Sequence, residues 1–249
     1  MSVHETAKRG FVRPEAYERG RAGYPEAALD VLAIDETTTV LDLGCGTGKL
    51  TRQLVARTPN VIGVDPLADM IGAFHRLLPD SPAVLALAEA LPLRSASVDL
   101  ITCASVFHWL DHEVALPEMH RVLRPRGRLA IIWNRRDSLD GWAHEFWQIT
   151  EAYRGDTPGY RTGRWRDALE SSPRFGPIEE RWFDHVQRTD VDGLVARVAS
   201  VSFIELLPSA ERERVLATTR EFLETHPETA GRETIDLPYR TALYVVEAY

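Results

Sequence analysis

The stretch Val40-Leu41-Asp42-Leu43-Gly44-Cys45-Gly46-Thr47-Gly48 decides how the rest of the chain is read. A short apolar run ends in three glycines at alternate positions, and Leu50, Leu54 and Val55 then share one helical face. Glycines at such a strand-to-helix turn let the backbone bend sharply and meet a ligand with no Cβ in the way. The dinucleotide form of this turn spaces its glycines G-x-G-x-x-G, with the third packing helix onto strand. Here the third glycine comes one residue earlier and an acid, Asp42, precedes the turn, which weighs against a nicotinamide or flavin cofactor. A Walker phosphate loop is excluded more firmly: the upstream spacing is wrong, and Leu50 follows Lys49 where Ser or Thr is required.

Outward from this turn, short apolar runs recur at Thr39–Leu43, Val61–Val64, Val84–Leu87, Val98–Cys103 and Leu129–Trp133, as expected of parallel strands buried on both faces. Between them, Met70, Ile71, Phe74, Leu77 and Leu78 mark one helical face and Leu116, Met119 and Leu123 another; the latter helix stops at Arg124-Pro125-Arg126-Gly127. Alternating strand and helix with short loops predicts βαβ units and a parallel sheet, with ligands at the carboxyl ends of the strands. Asp65 stands at such an end, about 20 residues past the glycine turn, where a carboxylate accepts both hydroxyls of a ribose. The bland alternative is a solvated loop aspartate.

After Trp133 the pattern changes: helices are expected over Trp142–Arg154, Arg164–Leu169, Val191–Val201 and Ala210–Thr225, and strands over Ile178–Gln187 and Thr241–Glu247. These later helices are the candidate substrate cap. The 249 residues suit one catalytic domain with a lid, divided into an N-terminal lid segment (1–37), a cofactor-binding core (38–134) and a C-terminal part with cap helices and the last two strands (135–249). A net charge of −8 without a long basic run argues against nucleic acid as a partner. Cys45 and Cys103 are too few for a disulfide framework and read as small buried thiols. Met1–Gly10 is polar and no apolar run is long enough to span a bilayer, so a cytoplasmic protein without membrane association is the expectation.

Val40–Gly48, Val61–Asp65, Ala88-Glu89-Ala90-Leu91-Pro92-Leu93, Ser97-Val98-Asp99-Leu100 and Leu123–Trp133 resemble, in order, the motifs of class I S-adenosylmethionine-dependent methyltransferases. The segment Tyr17–Pro25, the His108-Trp109 pair, Trp133-Asn134 and Leu237–Thr241 extend the resemblance to the methyltransferase type 11 branch that includes trans-aconitate-methyltransferase-like proteins. The resemblance implies a Rossmann-like α/β fold: a mostly parallel seven-stranded sheet with helices on both faces and a helical cap. It implies that Asp42, Gly44 and Gly46 surround the methionine part of the cofactor, that Asp65 holds the ribose, that Ala88 and Glu89 lie beside the adenine, and that Ser105 lines the sulfonium end. Family members often place Asp before the Ala-Glu pair; this chain has Leu87. Tyr17, Arg21 and Tyr24 are expected to fold over the cofactor, with the Arg21 guanidinium against the methionine carboxylate; the alternative is an ordinary surface helix.

A sulfonium methyl is already activated, so in-line displacement requires the acceptor lone pair to be held opposite the departing sulfur, leaving S-adenosylhomocysteine. A base is needed only where the acceptor must lose a proton; His108 is the candidate, or else a pocket wall packed on Trp109. A carboxylate acceptor needs no base, and Arg135 or Arg136 would then bind a second acidic group, unless both are merely solvated. Trp109 and Asn134 are further substrate candidates, and Trp133, Trp142, Trp147 and Trp165 read either as an aromatic wall or as core. His108 and His112 lack a clear third ligand, so no metal is expected. The expected function is methyl transfer to a small-molecule acceptor at O, N or a carboxylate; the alternative is a cofactor-binding protein that transfers no methyl, its cofactor structural, sensed or used in another reaction such as a cyclisation.

Overall fold

The computed structural model describes Gly10, residues 13–136 and residues 140–249. Two short helices, α1 (Pro14–Gly20) and α2 (Glu26–Asp30), precede a βαβ succession: β1 (Val40–Leu43), α3 (Lys49–Val55), β2 (Val61–Asp65), α4 (Ala68–Leu77), β3 (Ala83–Leu85), β4 (Val98–Ala104), α5 (His112–Val122) and β5 (Leu123–Arg135). The second half runs α6 (Gly141–Glu151), α7 (Arg164–Glu170), β6 (Glu179–Thr189), α8 (Val191–Ala199), α9 (Ser202–Glu205), α10 (Ser209–Thr225) and β7 (Ile235–Glu247). The strands form one seven-stranded sheet in the order β3-β2-β1-β4-β5-β7-β6. β7 pairs antiparallel with both neighbours, and every other pairing is parallel. The strand order reverses between β1 and β4, which opens a crevice at their carboxyl ends. This is the Rossmann-like methyltransferase architecture that the motifs imply.

Side chains alternating along the strands divide the core in two, because successive residues face opposite sides of a sheet. Leu41, Ile101, Leu129, Ile131 and Trp133 pack with Phe107, Met119 and Trp165 on one face. Val40, Leu100, Ala130 and Ile132 pack with Leu29, Leu50 and Leu54 on the other. The cap closes over an apolar cluster of its own, in which Trp142, Phe146 and Trp147 of α6 meet Leu194 and Val198 of α8, Val215 and Leu223 of α10, and Leu237 and Tyr239 of β7. Trp133, Trp142, Trp147 and Trp165 are thus core residues, and the aromatic wall reduces to Trp109.

Several boundaries move. β5 begins at Leu123, not Leu129, because Leu123 pairs with Val98 before a register shift brings Arg128 opposite Leu100; α5 ends at Val122, before the Pro-Gly stretch. β3 is cut to Ala83–Leu85 at the sheet edge. β7 starts at Ile235 rather than Thr241, since its first part pairs with β6 from Thr189 onward. Pro238 falls there, past the last pairing with β5 at Arg135 and Arg240, where one side of the strand needs no donor. Among the described residues, no helix is long and apolar enough to cross a membrane.

Candidate functional site

The turn after β1 is built by conformation and by close packing. Gly44, Gly46 and Gly48 take φ of 72°, 55° and 88°, the left-handed region that side chains rarely adopt. A Cβ on Gly44 would lie 2.6 Å from Val106 Cγ2, whereas one on Gly46 would meet only Tyr17, at 3.9 Å. The space over Gly46 is therefore open beneath Tyr17. Backbone N–H groups of Gly44 and Cys45 donate to Val64 O at 2.7 and 3.1 Å, tying the turn to the end of β2. There Asp65 accepts from Gly46 N at 3.0 Å through Oδ2 and from Leu67 N at 2.9 Å through Oδ1. Burial pushes its carboxyl up to about 6 against these two bonds.

Two adjoining chambers lie over this turn and share Tyr17, Gly44, Ala104 and Ser105. The larger, about 780 Å³ including space open to solvent, is walled by Leu67, Met70, Leu87 and Leu110 and holds Gly46, Asp65, Ala88, Glu89 and Trp109. The smaller, about 530 Å³, is polar: Arg21, Tyr24, Asp42, Lys49, Asn134, Arg197 and Tyr239 line it. Every residue expected to hold the cofactor lines one chamber or the other, as do Trp109 and Asn134.

Their engagements differ. Asp42 is fully buried and accepts from Thr51 Oγ1 at 2.6 Å and Thr102 Oγ1 at 3.0 Å; burial raises its carboxyl to about 6. Ser105 holds a left-handed φ of 59° and meets the Tyr24 hydroxyl at 3.1 Å, a strained residue at the tip of β4. The Tyr24 backbone is gripped in turn by the Gln53 amide at 2.9 and 2.8 Å. Arg21 stacks on Tyr17 at 5.0 Å and donates to Ser200 Oγ and O at 3.0 and 2.7 Å, so the cap orients it. Glu89 accepts from Asp111 N at 3.0 Å. Asn134 is occupied at both ends, donating to Gly23 O at 2.8 Å and accepting from Thr241 Oγ1 at 2.7 Å, which makes it a clamp between lid, β5 and β7.

His108 and Arg135 stand outside both chambers. The His108 ring packs 4.9 Å from Trp109 and 6.2 Å from Trp133, and its Nδ1 is buried without a partner. Burial first, then Arg154 and Arg21, push its pKa down to about 3, so the imidazole is neutral and a poor proton acceptor. Arg135 lies between the Tyr160 and Trp182 rings at 4.8 and 4.9 Å and donates to the Tyr244 hydroxyl at 3.3 Å. His112 bonds Phe107 O at 2.9 Å, and among the described residues no group of three His, Cys, Asp or Glu side chains is placed to hold a metal.

Lys49, Arg197 and Tyr239 line the polar chamber without having been assigned to it from the sequence, although Tyr239 lies in the Leu237–Thr241 segment that carries part of the resemblance. Arg197 and Tyr239 come from the cap and from the part of β7 hidden by Pro238, and only tertiary packing brings them to the glycine turn. Lys49 follows the turn directly, and its position just inside a helix facing the ligand was the available signal. The lid that covers it was legible as a segment but not in its fastening: Glu18 of α1 accepts from Thr47 Oγ1 at 2.8 Å and Arg52 Nη2 at 2.6 Å and pairs with Lys49 at 3.2 Å.

A family model described as a methyltransferase domain matches residues 41–131, from β1 to β5. An uncharacterised methyltransferase of Mycobacterium tuberculosis is 38% identical over 226 residues, 91% of this chain and 90% of that protein. Trans-aconitate 2-methyltransferase of an Azoarcus species is 45% identical over 111 residues, 42% of this chain and 44% of its own. Among solved structures, a candidate type II methyltransferase from Anaeromyxobacter dehalogenans superposes with a TM-score of 0.62 at 24% identity, covering 92% of this chain and 97% of that one.

Proposed function

The chain belongs to the methyltransferase family of these relatives, and we propose that it is an S-adenosylmethionine-dependent enzyme that methylates a small-molecule acceptor. One observation carries the reading: the bare backbone at Gly46 opens into an apolar chamber with a carboxylate on its rim, adjoining a polar chamber lined by Arg21 and Lys49. That division suits a ligand with a nucleoside at one end and an amino acid at the other. Bound there, S-adenosylmethionine supplies a methyl group activated by its sulfonium.

The remaining work belongs to the chain. Asp65 accepts from the ribose hydroxyls. Leu67, Met70, Leu87 and Leu110 cover the base with apolar surface, so that at Leu87 burial of the adenine stands in for the hydrogen bond an aspartate would make. Arg21 and Lys49 supply positive charge at the carboxylate end. The lid, drawn down by Glu18, excludes water from the shared region at Tyr17 and Ser105. His108, held neutral and weakly basic, shapes the acceptor side rather than removing a proton.

Titration calorimetry with S-adenosylmethionine and S-adenosylhomocysteine tests the seat. Asp65→Ala is expected to weaken both about 10-fold or more, the worth of hydrogen bonds to a charged group, with an unchanged circular dichroism spectrum. Equal affinity in wild type and variant would sink the ribose assignment. A mass-spectrometric screen for methylated products separates methyl transfer from cofactor binding alone.

A further inference from the structure

A sheet edge left unpaired presents a row of backbone donors and acceptors that another strand can complete, and folded proteins blunt such edges by keeping them short, charged or covered. The two edges of this sheet are treated differently. β3 is held to Ala83–Leu85, whereas β6 runs eleven residues, Glu179–Thr189, and pairs with β7 along its whole length. Among the described residues no strand pairs with its other side. One face of β6 is covered: Phe183 packs on the core that includes Leu29 of α2, and Gln187 is buried, donating to Gly20 O at 2.9 Å. On the opposite face Glu180, Trp182, Asp184, Val186 and Arg188 are all exposed, Trp182 by 40% and Val186 by 51%. Large apolar side chains on a long open edge are what such blunting ordinarily removes.

This exposed row complements itself when reversed. Laid antiparallel on a second copy about an axis at Asp184, it sets Glu180 opposite Arg188 and Trp182 opposite Val186, at both ends of the contact. Asp184 then faces its own copy, but each carboxylate already pairs with Arg240 of β7 at 3.2 Å, so the two acids meet flanked by two guanidiniums. An axis one residue later would oppose Trp182 to Arg188 and Asp184 to Val186; one residue earlier, Glu180 to Val186 and Trp182 to Asp184. The pattern therefore selects one register. Its charged ends are held ready, Glu180 accepting from Trp182 Nε1 at 2.8 Å and Arg188 donating to Asp236 at 2.9 Å, so little side-chain freedom is lost on pairing.

We propose that the open edge of β6 is an interface for a second copy of this chain, the two β6 strands pairing antiparallel about a two-fold axis at Asp184 and joining both sheets into one. Main-chain bonds along the edge supply the attraction, and the row from Glu180 to Arg188 sets the register. The contact uses the same strip on each copy and so closes on itself; the edge left at either end is the three-residue β3, and growth stops at the dimer. No residue of β6 lines either chamber, so the interface stands apart from the cofactor seat and does not depend on the reaction proposed for it.

The test is sedimentation velocity on the full chain from about 1 μM to about 100 μM at low ionic strength, where charge pairs are least screened. The wild type is expected to reach twice the chain mass. Glu180→Arg and Arg188→Glu, each with a wild-type circular dichroism spectrum, set like charges opposite one another at both ends and are expected to weaken the dimer about 10-fold or more. Mixing the two variants restores an opposite-charge pair at each end, and the mixture is expected to associate more tightly than either variant alone. Asp184→Cys is expected to cross-link to its own copy on mild oxidation, because directly opposed strand residues lie within disulfide reach while Cys45 and Cys103 stay buried. A monomer over the whole range, a dimer equally strong in both charge variants, a mixture no tighter than its components, or a dimer that Asp184→Cys leaves without a cross-link would overturn the proposal.

Discussion

Asp42 and Asp65 sit on adjacent strands, both buried, and each is raised to about 6 mainly by the loss of water around it. In the unfolded chain an aspartate titrates near about 3.9. Between these values the folded protein holds protons that the unfolded chain has released, so both groups stabilise less as pH climbs through that interval and contribute a constant penalty above it. For Asp42, an Asp42→Asn variant is expected to gain stability over wild type by roughly 2–3 kcal/mol on going from pH 4 to pH 7, read from urea denaturation at a series of pH values. A flat difference across that range would show that the two threonine bonds cancel the cost of burial. Under the proposed function, ionised Asp65 is the form that would accept two ribose hydroxyls, a reason to keep a costly carboxylate where a neutral side chain would fold more easily.

At the level of elements, the glycine turn, the acid at the end of β2 and the strand succession were legible because each is a local pattern: alternate glycines, a spacing of about 20 residues, runs of branched side chains. The seam between α1 and α3 was not, since Glu18 meets Thr47, Lys49 and Arg52 only after the fold has formed. Nor was the start of β7, where Pro238 masks strand character that β6 supplies by pairing. The seam gives a direct prediction. Glu18→Ala removes two charge-assisted bonds and an ion pair of partly buried groups, worth about 1–3 kcal/mol, so amide exchange in α1 should quicken about 10-fold or more while β4 and β5 are unchanged. Unaltered exchange in α1 would mean that the cap alone holds the lid.

Across the whole molecule the net charge is −8, yet Arg21, Lys49 and Arg197 line the polar chamber, so the field an anionic group meets there is local rather than global. Lid and cap meet at α1 and α8 without spare room: a Cβ on Gly20 would lie 2.4 Å from Arg197 N, and Gln187 donates to Gly20 O at 2.9 Å. Gly20→Ala must push the two helices apart, at about 1–3 kcal/mol for an overpacked contact and a melting point lower by several degrees in a chain of this size. An unchanged melting point would show that the contact yields without cost. Because Gly20 packs against the helix that carries Arg197, lid and cap make a single jaw. A compound lodged under it bars the exit of spent cofactor as well, and such a blocker should inhibit uncompetitively, gaining potency as cofactor is added.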